Sequence, residues 1–222
     1  LFEAGWDVST AEENYQTLVK MGEGVEVPEG SESDKPYSKF MAIYAAMCRL
    51  HMKTFGTTQR QIAAVCAKNH THSVHNPWSQ FRKPFTIDEV LASPPITYPI
   101  TLPMCAPLSD GAAAAILCTE EGLKRIGADK SRCIKISASV LRSFSPRRID
   151  QPELHVGRLA AQQAYEIAGL GPQDMHVAEV HDASAMGEII QAENLGLVEL
   201  GMGGPAAERG EFTIGGRIPI NP

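Results

Sequence analysis

The chain has few cysteines and no arrangement of them that could build a scaffold. Cys48, Cys66, Cys105, Cys118 and Cys133 are odd in number and widely spaced, with no CxxC pair. That excludes a disulfide framework and a cysteine zinc site, and it points to a reducing, cytoplasmic setting. Long apolar runs are also missing. None reaches the roughly 18 residues of a membrane span, and no signal-peptide pattern leads the chain, so no membrane is expected as partner. Positive charge is in the minority, with 20 Lys and Arg against 26 Asp and Glu, so the net charge of −6 offers no overall attraction to nucleic acid. The basic pairs Arg82-Lys83 and Arg147-Arg148 read as solvated surface. There is no P-loop, GxSxG or HExxH. Gly201-Met202-Gly203-Gly204 follows a helical pattern, with Ala206 where a dinucleotide fingerprint wants glycine, and is expected to be a turn.

What is present is a run of capped helices interleaved with short apolar stretches. Ala11 to Met21 reads as a helix, and Gly22 to Pro36 as a surface loop. Phe40, Ile43, Tyr44, Met47 and Leu50 recur at three and four, which predicts a helix over Lys39 to Phe55 ended by Gly56. Thr57-Thr58 then caps a helix from Gln59 to Asn69. Thr86 caps a short helix ending at Leu91. Residues 93–107 carry five prolines and read as an extended connector. Ser109-Asp110-Gly111 is expected to turn into a buried strand ending at Cys118, followed by a helix over Thr119 to Ile126. Cys133 to Val140 reads as a strand. Val156 to Ala168 reads as a helix turning Leu159, Ala160, Ala164 and Ile167 inward and stopped by Gly169. Met175 to Val180 reads as a further strand, so strand, helix and strand would form a parallel unit with a right-handed crossover.

Two stretches carry candidate chemistry. Asn69 to Pro77 holds His70, His72 and His75 in an HxHxxH spacing, but no Cys or carboxylate lies within the motif to complete a tetrahedral set. These histidines are expected to be structural or surface residues, with no metal. The second stretch is Val177 to Ser184. His181-Asp182 ends the strand over Met175 to Val180, and the helical spacing of Ala185, Met186, Ile189, Ile190 and Glu193 follows at once. That order puts an imidazole and a carboxylate at the carboxyl end of a strand, beside the free N–H groups of a helix start, where open α/β sheets bind ligands. Asp182 can also fix the tautomer of an imidazole.

Four stretches then resemble one family in order and spacing: Lys68 to Pro77, Ser109 to Ala115, Ala178 to Asp182, and Gly215 to Pro222. They resemble thiolases of the sterol-carrier-protein-x type, acetyl-CoA acetyltransferase-like proteins, over roughly Met41 to Pro222. The resemblance implies an α/β thiolase fold, present in part. Residues 1–104 would be a mostly helical and irregular loop domain, 105–130 the end of the amino-terminal half, and 131–222 a truncated carboxyl-terminal half. It also implies a dimer or tetramer acting on acyl-coenzyme A thioesters, with no tightly bound cofactor. The family's nucleophilic cysteine would lie upstream and its Gly-His-Pro base downstream, so the chain is expected to be a piece of a longer protein. None of the five cysteines stands in a nucleophile's context, Cys105 included.

One family residue carries over. His181 matches the His of the family's His-Asp-Cys-Phe motif, where it helps form an oxyanion hole. Asp182 follows as in the family, but Ala183 stands for the cysteine that moves a proton at the substrate α-carbon, and Ser184 for the phenylalanine. The resemblance therefore leaves three readings. The first is thiolase-like acyl transfer by Claisen condensation or thiolysis of a 3-ketoacyl-CoA, in lipid, steroid or small-acid metabolism. The second is a thiolase-fold retro-aldolase working with a small partner protein. The third is a non-catalytic acyl-CoA-binding subunit. For the histidine cluster the expected outcome is simple: the purified protein should carry no stoichiometric metal, and His72→Ala should leave its metal content unchanged when measured by elemental analysis.

Overall fold

A computed structural model of the chain describes residues 9–143, 145 and 147–222. The first eight residues of the expected loop domain, and Phe144 and Pro146, lie outside the described residues. Among the described residues there are eight α-helices and one two-stranded sheet. In order they are α1 (Ala11–Lys20), α2 (Lys39–Phe55), α3 (Gln59–Ser73), α4 (Ile87–Leu91), β1 (Pro95–Thr97), β2 (Ile100–Thr101), α5 (Glu120–Ile126), α6 (Val156–Ala168), α7 (Ala185–Asn194) and α8 (Gly203–Glu208).

The helices start and stop where the side chains supply caps. Ser38 accepts from the Phe40 N–H at the start of α2, and Gly56 ends that helix at φ +76, a left-handed conformation that a side chain would oppose. Thr58 and Gln61 form a reciprocal capping box on α3, and Thr86 and Glu89 another on α4. The helix α3 runs one turn beyond the expected Asn69. His70 and His72 therefore lie on a helix rather than in a loop. The Gly201–Gly204 turn is also partly helical, because Pro205 sits in the first turn of α8, where its missing N–H is no loss.

The centre of the molecule is α3, which packs against α4, α7 and α8. Ile62 and Val65 of α3, Met186 and Ile189 of α7, Val90 of α4 and Ala206 of α8 are fully buried. Phe212, Ile218 and Ile220, from the segment after α8, close the same core. The proline-rich connector is ordered by the β1–β2 hairpin, whose Ile100 and Thr101 are also buried.

The expected strands fare differently. Residues 106–118 and 133–143 carry no regular structure, and Leu108, Ile116, Ile134 and Leu141 are 87–98% exposed. The buried strand expected after Gly111 and the strand over Cys133 to Val140 therefore do not form. A strand needs a neighbour to take up its backbone groups, and none of the described residues provides one. Without that sheet, α6 turns only Ala161 fully inward, while Ile167 is 58% exposed. The stretch over Met175 to Val180 is paired only in part. Ala178 forms a parallel bridge with Ile220, through its N–H to the Pro219 carbonyl at 3.0 Å and from the Asn221 N–H to its own carbonyl at 2.9 Å. The expected crossover unit is thus reduced to a helix and one bridged strand end.

No helix among the described residues is long and apolar enough to cross a membrane. The central packing of α3 is open to a direct check. Ile62→Ala removes a fully buried side chain and should destabilise the fold by about 2–4 kcal/mol, read as a lowered midpoint in denaturant with an unchanged slope.

Candidate functional site

His181 and Asp182 lie in the turn between the bridged strand end and α7. Asn221 fixes the approach to this turn. Its side chain accepts from the Val180 N–H at 2.8 Å and donates to the Val180 carbonyl at 3.2 Å, taking the place of a strand neighbour. The other side is held by Cys105 and Ala106. Cys105 bridges Ser184, and the Ala106 N–H donates to the Ala183 carbonyl at 3.1 Å. Ser184 precedes α7 in extended conformation without capping it by its side chain.

The helix approaches the turn closely. A Cβ at Gly187 would stand 3.1 Å from the Asp182 Cα, so the absence of a side chain at 187 lets α7 lie against the turn. The result is a division of labour along two residues. The His181 side chain is exposed, whereas Asp182 is half-buried and points into the protein.

Behind Asp182 lies a buried polar network that the sequence reading did not identify. The Asn69 amide nitrogen donates to Asp182 Oδ2 at 2.8 Å and to Glu188 Oε2 at 3.2 Å. Lys68 Nζ pairs with the same Glu188 oxygen at 2.9 Å and also donates to the Ile220 carbonyl. The Glu188 side chain is 0% exposed and that of Lys68 4%. Burial pushes the Glu188 carboxyl up to about 7, with the Lys68 ammonium opposing the rise. Burial likewise lowers the Lys68 ammonium from its ordinary value, against the attraction of Glu188. Asp182 is raised by burial, and Lys68 and the amides of Asn221 and Asn69 oppose that rise. Tyr44, on α2, is raised by burial and then by the negative charge of Asp182.

The histidine cluster is divided by this packing. His72 Nε2 accepts from the Ile214 N–H at 3.1 Å, so its Nδ1–H must be the donor to the Asn221 carbonyl at 2.9 Å. Burial lowers the His72 imidazole from its ordinary value, in keeping with a neutral ring that buttresses Asn221. His70 packs edge-on against Phe85 with ring centroids 4.7 Å apart. No group of three or more His, Cys, Asp or Glu suited to a metal occurs among the described residues. Cys105 and Cys66 have no thiolate character: burial pushes Cys105 up to about 11 and Cys66 up to about 12. Of the network residues, Lys68 and Asn69 stand in the first stretch of the family resemblance. Glu188 could have been found as an acidic residue within the apolar stripe of α7.

The class of protein is set by the matches to known proteins. Residues 145–222 match the family described as thiolase C-terminal domain-like. The fold as a whole is similar to a solved structure titled "Ltp2-ChsH2(DUF35) aldolase", with a TM-score of 0.68 and 21% identity, covering 97% of this chain and 54% of that one. The chain is therefore thiolase-like, with a partial thiolase fold.

Its relatives by sequence include a sterol carrier protein, an acetyl-CoA acetyltransferase and a thiolase subunit. It is 40% identical over 178 residues to sterol carrier protein 2 of Oryctolagus cuniculus, covering 78% of this chain and 32% of that protein. It is 39% identical over 184 residues to an acetyl-CoA acetyltransferase of Methanothermobacter thermautotrophicus, covering 82% and 48%. It is 34% identical over 181 residues to the benzoylsuccinyl-CoA thiolase subunit BbsB of Thauera aromatica, covering 81% and 46%. The chain thus spans about a third to a half of the length of these relatives.

The raised Glu188 gives a pH prediction whose sign can be worked out. A carboxyl raised from 4.5 to about 7 on folding contributes stability that is fully present below pH 4.5 and is lost as pH rises through about 7. Glu188→Gln removes that dependence. The stability of the native protein minus that of Glu188→Gln should therefore shrink between pH 5 and pH 8, by on the order of 2 kcal/mol. Denaturant titrations of both proteins at each pH measure it.

Proposed function

We propose that this chain is the part of an acyl-CoA-handling, thiolase-like enzyme that carries an oxyanion-stabilising histidine. The observation that carries the reading is the exposed His181 side chain, held at the mouth of a turn whose next residue is anchored in a buried network. An imidazole N–H there can donate to the thioester oxygen as negative charge develops, a contact that strengthens in the transition state. Asp182 orients the turn and performs no chemistry of its own. In this reading the substrate is a coenzyme A thioester, no cofactor is tightly bound, and the nucleophile comes from sequence outside this chain. The names of the acetyltransferase and BbsB relatives support the substrate class. A cytoplasmic homo-dimer or homo-tetramer, with the loop domain, amino-terminal and carboxyl-terminal halves divided at 104 and 130, completes the proposal.

One observation favours a second reading. Ala183 has no proton to transfer, so the carbon acid chemistry of a thiolase would need another base. A thiolase-fold retro-aldolase assisted by a small partner protein needs a different set of proton-transfer groups, and the solved aldolase of similar fold supports this alternative. Thiolysis of a 3-ketoacyl-CoA against cleavage of a 3-hydroxyacyl-CoA, assayed with the full-length protein, separates the two.

Both readings use His181 at the thioester oxygen and make the same kinetic prediction. In the full-length protein His181→Ala should lower kcat by roughly a hundredfold or more and change KM little. His181→Asn should recover part of the loss, because an amide N–H reaches similar space. A near-normal kcat for a well-folded His181→Ala protein would refute the assignment.

A further inference from the structure

Asp182 does not hold itself in place. Its carboxylate is reached by an amide on α3, and that amide also holds Glu188 on α7. Both amide hydrogens of Asn69 are used, one for each carboxylate, at 2.8 and 3.2 Å. Two negative groups sharing one amide nitrogen would repel each other without a cation. Lys68, the next residue on α3, supplies it at 2.9 Å from Glu188. The same ammonium donates to the Ile220 carbonyl, and so ties the network to the segment that bridges Ala178 just before the turn. Charged neighbours from the other elements are accounted for: Glu179 acts on Lys68, and the Tyr44 phenol on α2 feels Asp182. The Lys68–Glu188 pair at the centre of the network has no opening to solvent, since its side chains are 4% and 0% exposed. It cannot touch a substrate.

We propose that Lys68, Asn69 and Glu188 are positioning residues for the reaction, a buried clamp from α3 to α7 that sets His181 through the Asp182 carboxylate. The clamp makes α3 part of the apparatus that positions His181. The inference rests on the acyl-CoA reading of His181. The physical reason for a clamp is that a donor to an oxyanion must be aimed to within a fraction of an ångström, and among the described residues none makes a hydrogen bond to the His181 side chain that would aim it. Fixing its neighbour is then the available route.

The test is made on the full-length protein with five variants. Asn69→Ala cuts the link to Asp182 while leaving the Lys68–Glu188 pair intact. It should lower kcat about tenfold or more, with KM within about threefold, since misplacing a catalytic group acts mainly on the chemical step. It should also move the His181 imidazole resonances in the nuclear magnetic resonance spectrum of the ligand-free protein. Asp182→Ala should do the same, and the double variant Asn69→Ala/Asp182→Ala should be no slower than Asp182→Ala alone to within about twofold, because both act through one carboxylate. Lys68→Arg should keep more activity than Lys68→Met, and if Lys68→Met does not fold, Asn69→Ala decides alone. A folded Asn69→Ala protein with native kcat and unmoved His181 resonances would overturn the clamp, as would losses that multiply in the double variant. If Asn69→Ala moves the His181 resonances while His181→Ala leaves kcat intact, the clamp is upheld and the catalytic reading of His181 is what fails.

Discussion

The buried pair of Lys68 and Glu188 is the interaction on which the arrangement of the site depends. Two opposite charges with almost no exposure must find each other, because either one alone in the interior would be strongly unfavourable. The pair therefore allows only one register between α3 and α7. Its net contribution to stability is small or even unfavourable against an apolar pair of the same volume, and its value lies in specifying one alignment. A second buried contact repeats the device along α7. His51 Nε2 meets Glu193 Oε2 at 3.1 Å, the other Glu193 oxygen accepts from the Gly203 N–H at 3.0 Å, and His51 Nδ1 meets the Thr57 hydroxyl at 2.7 Å. Glu188 and Glu193 thus fasten α7 to α3, to α2 and to the start of α8. The amino-terminal end of α7, against which the His181 turn lies, is the end closest to the first of these fastenings.

The helices were legible in the sequence because their signals are local. A capping threonine, a glutamine or glutamate three residues on and a closing glycine are contained within one helix, and each acts whatever the rest of the chain does. The caps at Thr58 and Thr86 are legible for that reason, and in the structure Gln61 and Glu89 complete them as capping boxes. The strands were not legible in the same way. Ile116 and Ile134 lie in apolar stretches that would suit a sheet, but a strand is made by its partner, and a partner is a property of the whole fold. Where a partner exists the pairing appears, as at Ala178 and Ile220. Where none exists among the described residues, the apolar side chains stand in solvent.

The site was legible only at its surface. His181 and Asp182 were found because they interrupt an apolar run at the point where a strand gives way to a helix. Lys68 and Asn69 gave no comparable signal, since each is polar within a stretch that also has a polar face. Glu188 is separated from Lys68 by 120 positions, and no periodicity spans such a distance. His72 is expected from the sequence to be a structural or surface residue. It proves to be a buried, neutral ring between Ile214 and Asn221 because α3 continues one turn further than its spacing indicated. A helix end decided by packing rather than by a glycine is the kind of boundary that local reasoning places too early.

The contrast between His181 and its neighbours completes the argument about chemistry. A group that must meet a substrate has to stay accessible, which deprives it of packing and of fixed partners. A group that aims it must be buried, which raises its electrostatic cost. In the proposed reading the turn resolves the conflict by giving the two tasks to adjacent residues whose side chains point opposite ways. His181 faces outward, and Asp182 faces the amides of Asn69 and Asn221 and the charge of Lys68. Gly187 lets α7 come close enough for this, because a methyl group there would press on the Asp182 backbone. Any substitution that widens this contact would leave His181 chemically intact and yet displaced. For this reason the residues that position the histidine extend well beyond those exposed beside it.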